Sequence, residues 1–180
     1  MIEADNFVPA NNQFGGIVYA GATMAFTAGY WALYTLRPSI LAYRGCDMIY
    51  NGQTTHFYGK GSPDPLRDDV TLGSLEAKSA RIMAIAAVNN CTCVNLSENA
   101  ETRLLFPRVK YDELQSDLPA PRVDEYYFDK AVTGELDLGY MVENGKYWQH
   151  RHSFDVNALA SIDQLWLAAV RNIDRFSLAS

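Results

Sequence analysis

The chain has 180 residues, enough for one folded domain or for a membrane anchor with a modest domain, and too few for two large ones. Its formal net charge of -6 excludes a protein built around the phosphate backbone of nucleic acid, which calls for clustered Lys and Arg. An apolar fraction of 48% separates it from disordered sequences, and three cysteines, Cys46, Cys91 and Cys93, are too few and odd in number for a secreted disulfide scaffold.

Residues 1-14 read as a short tail whose acids, Glu3 and Asp5, are unlike the basic start of a secretory signal. No charged residue then occurs between Asp5 and Arg37. The stretch from Gly15 to Leu36 holds about 22 residues and would span about 33 Å as a helix, close to a hydrocarbon layer of about 30 Å. It predicts a transmembrane helix over 15-37. Tyr30, Trp31 and Tyr34 fall near one end like an interfacial belt, Arg37 and Arg44 follow, and Pro38 stops the helix. By the positive-inside rule the N-terminus lies outside and the rest of the chain on the matrix or cytoplasmic side. Gly21, Ala25 and Gly29 recur every four residues and form the expected helix-packing face. A core helix or strand inside a domain is the competing reading of the same run.

Residues 38-73 are rich in Gly, Pro, Asn and Asp and read as a connector. A small α+β domain is expected over 74-180. Ser74 is placed to cap a helix from Leu75 to Val88, with Leu75, Ile82, Met83, Ile85 and Ala86 as its apolar face and Asn89-Asn90 at its end. Cys91 to Leu96 reads as a strand, and Pro107, Pro119 and Pro121 keep Phe106 to Arg122 irregular. Asn144-Gly145, between LGYMV and KYWQH, predicts a β-hairpin over Asp137 to His150. The last element is an amphipathic helix whose seam, Leu159, Ile162, Trp166, Ala169, Ile173 and Phe176, is an expected partner-facing surface, with Asp163, Arg171, Asp174 and Arg175 elsewhere.

Chemical motifs are weak. Gly59-Lys60-Gly61-Ser62 lacks the upstream Gly and the hydroxyl directly after Lys that a phosphate-binding loop needs. Cys46, Cys91 and Cys93 with His56, His150 or His152 have poor zinc spacing. No nucleophile elbow occurs, and Asp124, Glu125 and Asp129 read as a solvated face. Asn90 and Asn95 begin glycosylation-type triplets that matter only in a secretory lumen. No catalytic residue, cofactor or metal is expected, and neither nucleic acid nor a small-molecule substrate.

The expected function is that of a non-catalytic accessory subunit of a multi-subunit membrane complex, with a respiratory-chain or ATP synthase complex of the mitochondrial inner membrane as the leading setting. Its partners would be the other subunits and the bilayer. The alternative is a structural or assembly protein, a particle or tail component, whose uncharged N-terminal segment is buried in an interface.

Overall fold

A computed structural model describes residues 4-49, 69-114 and 118-174. Its architecture is mostly helical, with six α-helices and one two-stranded sheet among the described residues. This corrects the expected fold of a transmembrane helix joined to an irregular α+β domain: no helix among these residues is long and apolar enough to cross a membrane.

The correction begins at two glycines. Gly16 and Gly21 have φ of +89° and +82°, a backbone that cannot continue an α-helix. The uncharged run is therefore divided. Helix α1 covers Ala4–Asn12, α2 only Ile17–Ala20, and α3 Met24–Leu36. Thr23 caps α3, its side chain accepting from the Phe26 N–H at 3.3 Å, and Arg37 ends it in the left-handed region at φ +47°. The 13 residues of α3 rise about 20 Å, well short of the hydrocarbon layer. The tail expected at 1-14 is mostly helix, and the inside-outside assignment had the span as its premise.

Strand β1, Ile40–Tyr43, lies within the expected connector and pairs in parallel with β2, Thr92–Asn95, in the register Ile40 to Thr92 through Tyr43 to Asn95. Between them runs α4, Leu75–Val88, capped by Ser74, which accepts from Ala77 N–H at 3.1 Å. Helix α4 and strand β2 sit where their capping and apolar patterns put them. The hairpin over 137-150 is not formed. Asp124 caps a helix α5, Glu125–Leu138, by accepting from Tyr127 N–H, and Asn144-Gly145 turns the chain only locally, Gly145 N–H donating to Val142 O at 2.9 Å. The segments on either side of that turn pack instead of pairing: Tyr140 stacks on Tyr19, and Tyr147 is buried with Val18 and Phe154.

Helix α6, Val156–Ala169, closes the fold against α4 and α5. The main core gathers Phe26, Tyr30 and Leu33 of α3, Ile82 and Met83 of α4, Cys93 of β2 and Trp166 of α6. Helices α2 and α3, which carry no charge, thus form a layer over α4, with α1 packed on α3. Val18, Tyr19 and Ala20 of α2 are buried, while Met24, Tyr34, Thr35 and Leu36 of α3 remain exposed.

Candidate functional site

Two features stand out as more than packing: a closed cluster of charges at the centre, and the outward face of α3.

The cluster is built on α4. Lys78 and Arg81 are almost completely buried, although α4 is otherwise dominated by small and apolar residues. Arg81 forks onto Glu135 of α5, Nε to Oε1 and Nη2 to Oε2, both at 2.7 Å. Its Nη1 donates to Tyr30 Oη at 2.7 Å and its Nη2 to the Phe14 carbonyl. Trp166 Nε1 donates to the same Glu135 Oε1 at 2.7 Å, and its ring centroid lies 5.4 Å from the guanidinium carbon. Beside this fork, Lys78 Nζ donates to Asp163 Oδ1 of α6 at 2.8 Å. Tyr19 Oη donates to the Glu135 carbonyl at 2.8 Å and accepts from Tyr140 N–H at 3.1 Å.

The electrostatics follow from burial. Desolvation alone would pull Arg81 down, but Glu135 and Tyr30 outweigh it and hold the guanidinium above its usual range. Burial pushes Tyr30 up, and pushes Tyr19 up to about 12. Burial also raises Asp163, against the pull of Lys78. Each charge in the cluster has its counter-charge within hydrogen-bond distance. The arrangement therefore clamps α2, α3, α4, α5 and α6 together, holding an uncharged N-terminal layer against a charged centre.

Of these residues the sequence marks only Trp166 as a site candidate, in a partner-facing seam, and it places Asp163 off that seam; yet the signal of the charges is present. Lys78 falls three residues after Leu75 and four before Ile82, on the apolar stripe itself, and Asp163 falls four after Leu159 and three before Trp166. A charge on a core stripe asks for a buried partner.

The second feature lies at the surface. Met24, Ala28, Trp31 and Thr35 follow one another by four, three and four residues along the outward side of α3, all exposed or half-buried. Met24 is 69% exposed, Leu36 62% and Tyr34 40%. No side chain on any face of α3 is charged. The Trp31 indole N–H is occluded and has no hydrogen-bond partner among the described residues.

Gly21 and Gly29, by contrast, face inward. A Cβ at Gly21 would lie 2.8 Å from Lys78 Cγ, and one at Gly29 would lie 2.1 Å from Tyr43 Oη and 2.6 Å from Ile82 Cδ1. Ala25, half-buried, packs against the main core. The close approach that these small residues permit is made with α4 and β1 of this same chain. Leu159, Ile162 and Trp166 are likewise buried within the chain, Ile173 packs at its edge, and Phe176 lies outside the described residues.

The remaining candidates are dispersed. Cys91 and Cys93 are buried thiols, burial pushing Cys91 up to about 11 and Cys93 well above the usual thiol range, while Cys46 is half-buried. Among the described residues no group of three or more His, Cys, Asp or Glu side chains could hold a metal ion. His150, between two short 3-10 turns, and His152, on the second of them, are exposed, and His56 and Gly59 to Ser62 lie outside the described residues. Asp124 serves as a helix cap, with Glu125 and Asp129 exposed beyond it. Asn90 is exposed at φ +57°, whereas Asn95 is buried and donates to Thr102 Oγ1 at 3.2 Å. A cleft of about 570 Å³ opens beyond β1 and β2, where Arg44, Arg108 and Lys110 are matched by Glu98, Asp112 and Glu113.

No protein-family model matches the chain, and neither a curated protein nor a solved structure matches it.

Proposed function

We propose that the protein is a non-catalytic assembly component whose uncharged N-terminal segment, α3 foremost, is buried against another protein chain. One observation carries this reading. A surface helix of a folded domain normally turns polar and charged residues outward, and a helix apolar on all sides is a buried one. Helix α3 carries no charged side chain on any face, yet Met24, Thr35 and Leu36 on it remain exposed among the described residues. The missing cover is the interface.

The central cluster supports the same role. Its charges are spent on one another, so it braces the platform that presents α3. The membrane-complex version of the accessory role drew its force from a span, and without one the protein-protein interface is what remains of it. A carrier of interfaces needs rigidity behind a flat apolar face, and the Arg81-Glu135 fork supplies it.

The test is the native mass of the full-length protein, extracted without detergent and sized by sedimentation. The expected result is an assembly well above the 20.1 kDa of the chain, lost when Met24→Glu is introduced. A native species of monomer mass would overturn the proposal.

A further inference from the structure

We propose that Asn144 is a site of spontaneous deamidation that the fold holds in check, so that the modification records each opening of its turn away from α1 and α2.

The chain contains two Asn-Gly pairs, at Asn51 and Asn144, and the first lies outside the described residues. Asn followed by Gly is the pairing most open to this chemistry, because no Cβ on the second residue hinders its nitrogen from reaching the side chain of the first. The Gly145 backbone nitrogen gives up its proton to solvent base and attacks Asn144 Cγ. A new N–Cγ bond forms, the Cγ–Nδ2 bond breaks, and Nδ2 leaves as ammonia with a proton taken back from solvent, closing a succinimide ring. Water then adds to one of the two ring carbonyls. Opening at one yields aspartate; opening at the other yields isoaspartate, in which the backbone runs through Cβ and is one carbon longer. Water is the sole co-reactant, and nothing is oxidised or reduced.

The fold exposes one half of this reaction and guards the other. Asn144 is exposed, so its amide stands in solvent, and the Lys146 N–H donates to its Oδ1 at 2.9 Å, which polarises the carbon to be attacked. Gly145 is buried at φ +71°, and its N–H donates to the Val142 carbonyl at 2.9 Å. Its free side is closed by α1 and α2: a Cβ there would lie 2.8 Å from Val8 Cγ2 and 3.3 Å from Ile17 Cδ1. Asn12 Nδ2 of α1 donates to the Glu143 carbonyl at 2.8 Å and ties the turn to the same helix. The proton that must leave is thus hydrogen-bonded and shut from water, and the reaction waits for the turn to lift off. The longer backbone of isoaspartate does not fit between the Asn12 tether and the seat under Val8 and Ile17, so an opening that ends in modification leaves a lasting mark.

The experiment follows deamidation of the purified full chain at mildly alkaline pH by peptide mass mapping, which separates Asn144 from Asn51, with isoaspartate counted by enzymatic methylation. Hydrogen exchange is read in parallel at the Gly145 amide. Asn144 is expected to react at least about tenfold more slowly in the native chain than in the chain unfolded in urea, and this slowing should match the protection of the Gly145 amide. Asn12→Ala, which removes the tether, should speed the native reaction by about fivefold and lower the protection of Gly145 equally, with the rate in urea unchanged. Val8→Ala, which thins the cover over Gly145, should act in the same direction. Asn144 reacting as fast in the native chain as in urea, or not at all in urea, overturns the proposal, as does slow reaction beside an unprotected Gly145 amide. Native rates unmoved by both substitutions would show that contact with α1 does not set the reaction, and would overturn it as well.

Discussion

At the scale of single residues, Glu135 bears the most. It accepts three hydrogen bonds on its carboxylate, two from Arg81 and one from Trp166, and its removal would leave a buried guanidinium with no counter-charge. Truncating one partner of such a pair costs about 3–5 kcal/mol. Glu135→Ala is thus expected to lower the urea midpoint sharply, with Trp166→Phe smaller at about 1.5–3 kcal/mol for one hydrogen bond lost from a carboxylate oxygen that Arg81 still holds. A midpoint unchanged by Glu135→Ala would mean that the fork does not brace the fold. Tyr43 makes a contrasting case. Its buried hydroxyl has no hydrogen-bond partner among the described residues and lies where a Cβ on Gly29 would sit. Gly29→Ala should therefore destabilise by about 1–3 kcal/mol through overpacking, while Tyr43→Phe should be neutral or stabilising and should recover part of that loss in the double variant.

At the scale of elements, the pairing of α4 with α6 rests on Lys78 and Asp163. Replacing both with apolar residues of similar size, Lys78→Met with Asp163→Leu, should be neutral or stabilising by about 1–4 kcal/mol. Asp163→Leu alone should cost about 3–5 kcal/mol, and equal effects of the single and double changes would contradict the pairing. A different sign governs Glu76 at the start of α4, which receives Arg103 Nε at 2.6 Å and Nη2 at 2.9 Å. Those hydrogen bonds hold its carboxyl below the usual range. A carboxyl lowered in the folded state stabilises above the unfolded value, and that contribution disappears as pH falls through the folded one. With both side chains 37% exposed, the worth is that of a surface pair, under about 1 kcal/mol. Glu76→Gln should lose that amount at neutral pH, and the difference from the unaltered protein should close as the solution is acidified through the carboxylate range.

At the scale of the whole molecule, charge is arranged in layers. The centre holds ion pairs, the N-terminal layer holds none, and the remaining surface carries the net negative charge. The core keeps water from the inner side of that layer; on the outer side, the proposed protein partner would do so. Added salt should therefore leave the proposed assembly intact, since an uncharged contact has no ion pair to screen; a native mass that fell with salt would point to an ionic contact elsewhere.

Much of this was local, and so legible in the residues alone. Ser74 before an apolar-periodic run marked α4, the three-and-four spacing from Leu159 marked α6, and the uncharged run marked a segment that avoids water. These signals depend on neighbours within one or two helical turns. The division of that run was not legible, because Gly16 and Gly21 suit a helix interior and a left-handed break alike. The choice fell to Lys78, whose stem occupies the space beside Gly21. Strand β1 was hidden for a related reason: four residues become a strand only when a partner 52 positions later pairs with them. Helix α5 had its signals in Asp124 and Gly139, but Asn144-Gly145 outweighed them until Tyr19 claimed Tyr140. By itself the sequence determined that residues 6-36 carry no charge and that the chain as a whole is acidic, since composition and charge need no fold to act. Only the tertiary structure decided that the run is a broken layer and that Arg81 meets Glu135 across 54 positions and Lys78 meets Asp163 across 85, since such contacts exist only once the chain has closed on itself.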